Sequence, residues 1–209
     1  EGAAGAHELL RALPEGFEPV AAVVIAQPGA APSPPHVLAG STGAERPPAR
    51  LVATAAAMVE AQADADAGLE GALGQLARLA LPASLGEAAA VTADGLGSVA
   101  ISGAGELPLD PALDVRKHLD EESIERFRRA ALATVLALAT VPNPGGGEPA
   151  AYLRAGDNVL PGWALGLIAL ALLVPPGALA LATLARGARD GTAQAALAWA
   201  VAWTGPGLA

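Results

Sequence analysis

The sequence predicts an α/β domain of three layers, a largely parallel sheet with helices on both faces, followed by C-terminal transmembrane helices. Three observations predict it. Apolar strand-like runs alternate with segments of helical spacing, the pattern of a layered α/β domain. The run VAAVVIA, from Val20 to Ala26, is apolar without interruption, as a strand buried on both faces must be. The stretch from Trp163 to Leu184 carries no charged residue, and Arg186 and Arg189 come directly after it. As a helix it would be roughly 33 Å long at ~1.5 Å per residue. That matches the ~30 Å hydrocarbon core of a bilayer.

Ala3 to Leu13 has helical spacing, with Leu9, Leu10 and Leu13 on one face, and Pro14-Glu15-Gly16 stops it. Val20 to Ala26 reads as a central strand of the sheet. Residues 27–35 form a Pro/Gly/Ser loop, and His36 to Ser41 a second strand. Arg46 to Ala63 opens on Pro47-Pro48 and continues as an Ala-rich helix. Its apolar face carries Leu51, Val52, Ala55, Met58 and Val59. A polar turn precedes a shorter helix from Leu69 to Leu81. Ser98 to Ser102 is a third strand candidate. Asp120 to Ala139 reads as a helix with acids in its first turn, where they complement the helix dipole. Its apolar face holds Ile124, Phe127, Ala131, Leu132, Val135 and Leu138. Residues 142–161 open on a Pro/Gly-rich run and read as a linker, so the domain is assigned to residues 1–141. Pro175-Pro176 within the apolar stretch predicts a kink, which membrane helices tolerate.

Charge narrows the partners. The net charge is −9, and all but one of the 21 acidic residues precede residue 162. Lys117 is the only lysine. An acidic domain without a basic patch argues against nucleic acid, whose phosphates demand one. The sequence has no cysteine, which removes disulfides and thiolate ligands.

No catalytic constellation stands out. His7, His36 and His118 lie in no metal-ligand spacing and read as surface or structural histidines. Gly40-Ser41-Thr42-Gly43 lacks the spacing of a nucleophile elbow. The acids Asp120, Glu121, Glu122 and Glu125 read as a solvated helix start.

Several segments, in order, resemble the C-terminal half of M28-family zinc aminopeptidase-like domains, of the actinobacterial kind that continues into membrane helices. Glu1 to Ala6 resembles the segment just after the family's Gly-Glu-Glu motif. VAAVVIAQPG resembles its AVINLDMVG strand, and Gly95 to Ile101 its GIPAV strand. Ser123 to Ala139 resembles the closing helix, and Tyr152 to Trp163 the junction into the first membrane helix. The resemblance implies a zinc-bound water that attacks peptide bonds near an N-terminus, with a Glu as general base. It places Glu1 at or just after a metal-binding glutamate. It places Gln27 where the family has a ligand aspartate and Ala88 where it has a ligand histidine. Neither residue replaces those ligands well, since a catalytic zinc needs about three protein ligands.

These observations give an expectation of a membrane-anchored metallopeptidase-type protein, degenerate at its metal site and binding no zinc itself. An active zinc-dependent aminopeptidase with ligands in a preceding segment is one alternative. A non-enzymatic membrane interaction module is the other. The chain starts on Glu1 and ends inside a second apolar run, so it reads as a fragment of a longer protein. Residues 162–185 are expected to form the first membrane helix and 192–209 the start of a second. The expected partners are the lipid bilayer and peptides. The Arg186–Arg189 loop is expected in the cytoplasm and the α/β domain outside it.

Overall fold

A computed structural model describes residues 4–29, 34–42, 45–84, 86–105, 115–141, 144, 151–156 and 158–189. The chain divides into two units, residues 1–162 and 163–209.

The first unit is a mixed α/β fold. Its described elements are α1 (Ala4–Arg11), β1 (Ala22–Ala26), β2 (His36–Leu38), α2 (Ala49–Ala63), α3 (Ala72–Ala80), α4 (Glu87–Ala93) and β3 (Ser98–Ser102). A 3-10 turn at Arg116–His118 leads into α5 (Glu121–Thr140), and the hairpin β4 (Tyr152–Ala155) and β5 (Asn158–Pro161) comes next. The first sheet has the order β1-β3-β2; β1 pairs parallel with β3, and β2 pairs antiparallel.

The sheet is therefore small and mixed rather than largely parallel, and β3 is its centre. Val20–Ala26 is expected at the centre, yet β1 is an edge strand among the described residues. The amide of Ala22 bonds the carbonyl of Gly97, and the amide of Gly103 bonds that of Ala26. Because the direction of backbone bonds alternates along a strand, Val23 and Ile25 turn theirs to the open side. Ile25 is 51% exposed. None of its five residues is fully buried, so the unbroken apolar run marks a strand without marking its place in the sheet.

Helices flank both faces of the sheet. Val99 and Ile101 point into a core with Val37, Leu51, Val52, Ala55, Val59, Phe127, Ala130 and Ala131. That core joins the sheet to α2 and α5. Residues Ser98, Ala100 and Ser102 face the other way. There the Ser98 hydroxyl donates to the Ala88 carbonyl of α4 and meets the Thr92 hydroxyl at 2.9 Å. α1 is tied to the end of α4 by His7 Nδ1 and Asp94 Oδ2, 2.5 Å apart.

Local chemistry fixes the two long helices. Pro48 ends the chain leading into α2, and Asp64, at φ 50°, closes the helix in the left-handed region. The Asp120 carboxylate caps α5, accepting from the amides of Glu122 at 3.3 Å and Ser123 at 3.2 Å. The Arg128 guanidinium, hydrogen bonded to Glu125, holds that carboxyl below the usual glutamate range, and Arg129 adds to the pull. Small side chains at Ala55, Ala56, Ala130 and Ala131 let α2 and α5 approach closely. This rotates the buried face of α5 from the one expected. Ser123, Phe127, Ala130, Ala131, Thr134 and Leu138 are buried, while Leu132 and Val135 are exposed. Thr134 is accommodated because its hydroxyl donates to the Ala130 carbonyl.

The hairpin β4–β5 occupies part of the stretch expected to be a linker. Tyr152 and Leu153 are buried in the first unit, and Gly156 turns the chain at φ +59°.

The second unit contains α6 (Gly162–Arg189), which begins at the unit boundary. From Gly162 to Arg186 it is long and apolar enough to cross a membrane, with a mean hydropathy of 2.2, and none of its most apolar window is buried within the chain. The helix runs through Pro175 and Pro176. The expected second membrane helix at 192–209 lies outside the described residues.

Phe127 is the largest fully buried side chain. Phe127→Ala is expected to lower stability by about 3–5 kcal/mol, because the cavity adds to the lost transfer energy. Leu132→Ala, on the same helix but exposed, should change it by less than ~0.5 kcal/mol. Chemical denaturation of the detergent-solubilised chain, followed by circular dichroism, measures both.

Candidate functional site

Gln27 and Ala88 are not brought together. Gln27 comes just after β1 at the carboxyl end of the parallel pair, where open α/β sheets bind ligands. Its φ is 52°, uncommon for a residue with a side chain and unfavourable before Pro28, and its Oε1 is buried without a hydrogen-bond partner among the described residues. Ala88 is buried in α4, and its carbonyl is held at Ser98. Ser98 pairs with Ala22 and Ser102 with Ala26, so Ser98 marks the opposite end of the strands. Four residues of strand separate the two ends by roughly 13 Å. Zinc ligands lie about 2 Å from the metal, so these two positions cannot serve one ion. Glu1 lies outside the described residues. Among the described residues no three His, Asp or Glu side chains converge to hold a metal ion. His7 bonds Asp94, and His36 opens β2 against Gly68. The side chain of His118 lies outside the described residues.

The structure instead gathers three arginines from distant parts of the chain. Arg46, Arg78 and Arg154 line a cleft of about 50 Å³, together with Val37, Gly68, Glu70 and Tyr152. Arg46 and Arg78 also line a smaller depression beside it. Arg46 precedes α2, Arg78 is on α3, and Arg154 is on β4.

Each arginine is held by its surroundings. Arg46 Nη1 donates to the Tyr152 carbonyl at 2.9 Å, and its guanidinium stacks 5.1 Å from the centre of the Tyr152 ring. Tyr152 in turn donates its hydroxyl to the Pro47 carbonyl at 2.6 Å. Arg78 pairs through Nε with Glu70 and donates from Nη1 to the Ser84 hydroxyl at 2.9 Å. Arg154 donates from Nε to the Gly156 carbonyl at 3.0 Å. Its Nη1 is buried and has no partner among the described residues.

The buried Gln75 organises the cleft floor. Its Nε2 donates to the carbonyls of Glu70 and Arg154, and its Oε1 accepts from the Arg154 amide at 2.8 Å. One side chain thus joins α3 to β4 in the manner of a strand neighbour. Gly68, at φ +65°, has no room for a side chain, because a Cβ there would collide with the His36 ring. The chain can therefore run alongside β2, where the Val37 amide bonds the Ala67 carbonyl at 2.7 Å.

Electrostatically the cleft opposes its domain. Three permanent positive charges face one carboxylate, that of Glu70, in a chain of net charge −9. Such a site attracts anions, and its one described carboxylate is paired with Arg78. Sequence reasoning misses it because the three arginines lie 32 and 76 residues apart, with no local motif. The scarcity of basic residues in so acidic a sequence is the only available hint.

Comparison with known proteins yields no matching family model, no matching curated protein and no matching solved structure.

Gln75→Ala removes all three hydrogen bonds and leaves the Arg154 amide and two carbonyls without that partner. The expected cost is about 1–3 kcal/mol. Faster hydrogen exchange at the Arg154 amide, with little change at Val99 in β3, is the accompanying signature.

Proposed function

We propose that this chain is the tethered part of a membrane protein whose α/β unit binds rather than hydrolyses. The observation that carries the membrane reading is α6, with its apolar window unburied within the chain. An apolar helix of that length exposed to water would be strongly unfavourable, whereas in a bilayer it satisfies its backbone internally. The non-hydrolytic reading is supported by Gln27, whose amide is a poor zinc ligand, by Ala88, which has no ligating side-chain atom, and by the register that sets them at opposite ends of the strands.

Charge sets the orientation. Arg186 and Arg189 end α6, whereas residues 155–162 hold no basic residue. Basic residues near the ends of membrane helices stay in the cytoplasm, and acids count little. The arginine end therefore faces the cytoplasm and the acidic α/β unit faces outward, where peptides are candidate partners.

The sequence lacks cysteine, so a single one reports topology cleanly. Ala72, exposed at the start of α3, is a suitable position. Ala72→Cys is expected to react with a membrane-impermeant maleimide in intact cells. Reaction only after lysis would reverse the orientation.

The metal reading is tested separately. The purified chain, incubated with zinc and desalted, is expected to retain far less than one ion per chain by elemental analysis. Stoichiometric retention would restore the hydrolase reading.

A further inference from the structure

We infer that the cleft of Arg46, Arg78 and Arg154 is a binding site for the oxyanion group of a small ligand, a carboxylate or a phosphoryl group. Neither the membrane reading nor the fate of the metal site bears on it.

Charge favours an anion there. Glu70 pairs with Arg78. Among the described residues neither Arg46 nor Arg154 meets a carboxylate. Two guanidiniums with no carboxylate partner among the described residues line one partly enclosed cleft and repel each other there. An entering anion relieves that repulsion and binds more strongly than it would on an open surface.

Hydrogen bonding favours it independently. Buried polar atoms in folded proteins nearly always have a partner. Arg154 Nη1 is buried and has none among the described residues, although Nε of the same guanidinium is fixed to the Gly156 carbonyl. The guanidinium is held in place with a donor unspent. Nη2 and Nε of Arg46 likewise make no hydrogen bond among the described residues. A guanidinium presents its donors in a fork that matches the two oxygens of a carboxylate or phosphate.

The cleft is also preorganised and small. Tyr152 fixes Arg46 by its ring and its carbonyl, Ser84 and Glu70 fix Arg78, and Gln75 fixes the backbone of Arg154. Little side-chain entropy remains to be lost on binding. A volume of about 50 Å³ exceeds the ~10–15 Å³ that one water needs, yet admits only a small charged group. The rest of a ligand would lie outside the cleft.

The test uses the full chain in detergent, with arginine modification by phenylglyoxal mapped by peptide mass spectrometry. Sodium phosphate and sodium acetate are compared with sodium chloride at equal ionic strength. Phosphate or acetate is expected to slow modification of Arg46 and Arg154 by about fivefold or more, leaving Arg128, 62% exposed on α5, unchanged. Protection by acetate alone assigns a carboxylate, and by phosphate alone a phosphoryl group; protection by both supports the shared oxyanion chemistry. Equal rates in all three salts, or equal protection of Arg128, overturn the proposal. Arg154→Gln, shown to be folded by circular dichroism, should weaken protection of Arg46 by about tenfold in anion concentration. Unchanged protection in a folded variant also overturns the proposal. If the variant does not fold, the wild-type protection pattern decides.

Discussion

Strand β3 has no side left for water, and the rest of the α/β unit depends on that constraint. All five of its residues are buried, and both of its edges are paired. Val99 and Ile101 require an apolar layer on one face, which α2 and α5 provide around Leu51 and Phe127. On the other face two serines are buried, which is tolerable only with partners. Ser98 finds them in the Ala88 carbonyl and Thr92, and Ser102 in the Gly105 carbonyl at 2.8 Å. Those bonds place α4 against the strand and set the turn that leaves it.

Hydropathy revealed the elements more readily than their neighbours. SVAIS and VAAVVIA are both visible as strands, and the longer, greasier run looks more central. The structure reverses the two, because edge pairing belongs to the backbone and leaves little trace in side chains. α5 shows a related effect. Its buried face runs through Ser123 and Thr134 rather than Leu132 and Val135, because close approach to α2 rewards small side chains. α4 is seven residues, four of them alanine, too short and uniform to show a period. The hairpin at 152–161 was hidden by the Pro/Gly run before it, and it docks through contacts to residues such as Pro47 and Gln75, about 80 to 105 positions earlier.

The cleft shows the same limit for function. Its arginines become neighbours only after α3, β4 and the approach to α2 have been assembled. Tyr152 serves both purposes, anchoring the hairpin to Pro47 and seating Arg46 at the cleft. Docking of the hairpin and the seating of Arg46 therefore depend on the same side chain. The metal positions inferred by resemblance fare differently. Gln27 follows one end of the β1–β3 pair, whereas Ala88 of α4 sits beside the other.

The paired prolines of α6 have a mechanical consequence. Without amide hydrogens, Pro175 and Pro176 leave the carbonyls of Ala171 and Leu172 without their usual acceptor role in the helix. The two gaps are consecutive and lie near the middle of the helix. Each half keeps its own ladder, so bending at that point disturbs few bonds. The helix is thus a pair of stiff rods with a compliant joint between them.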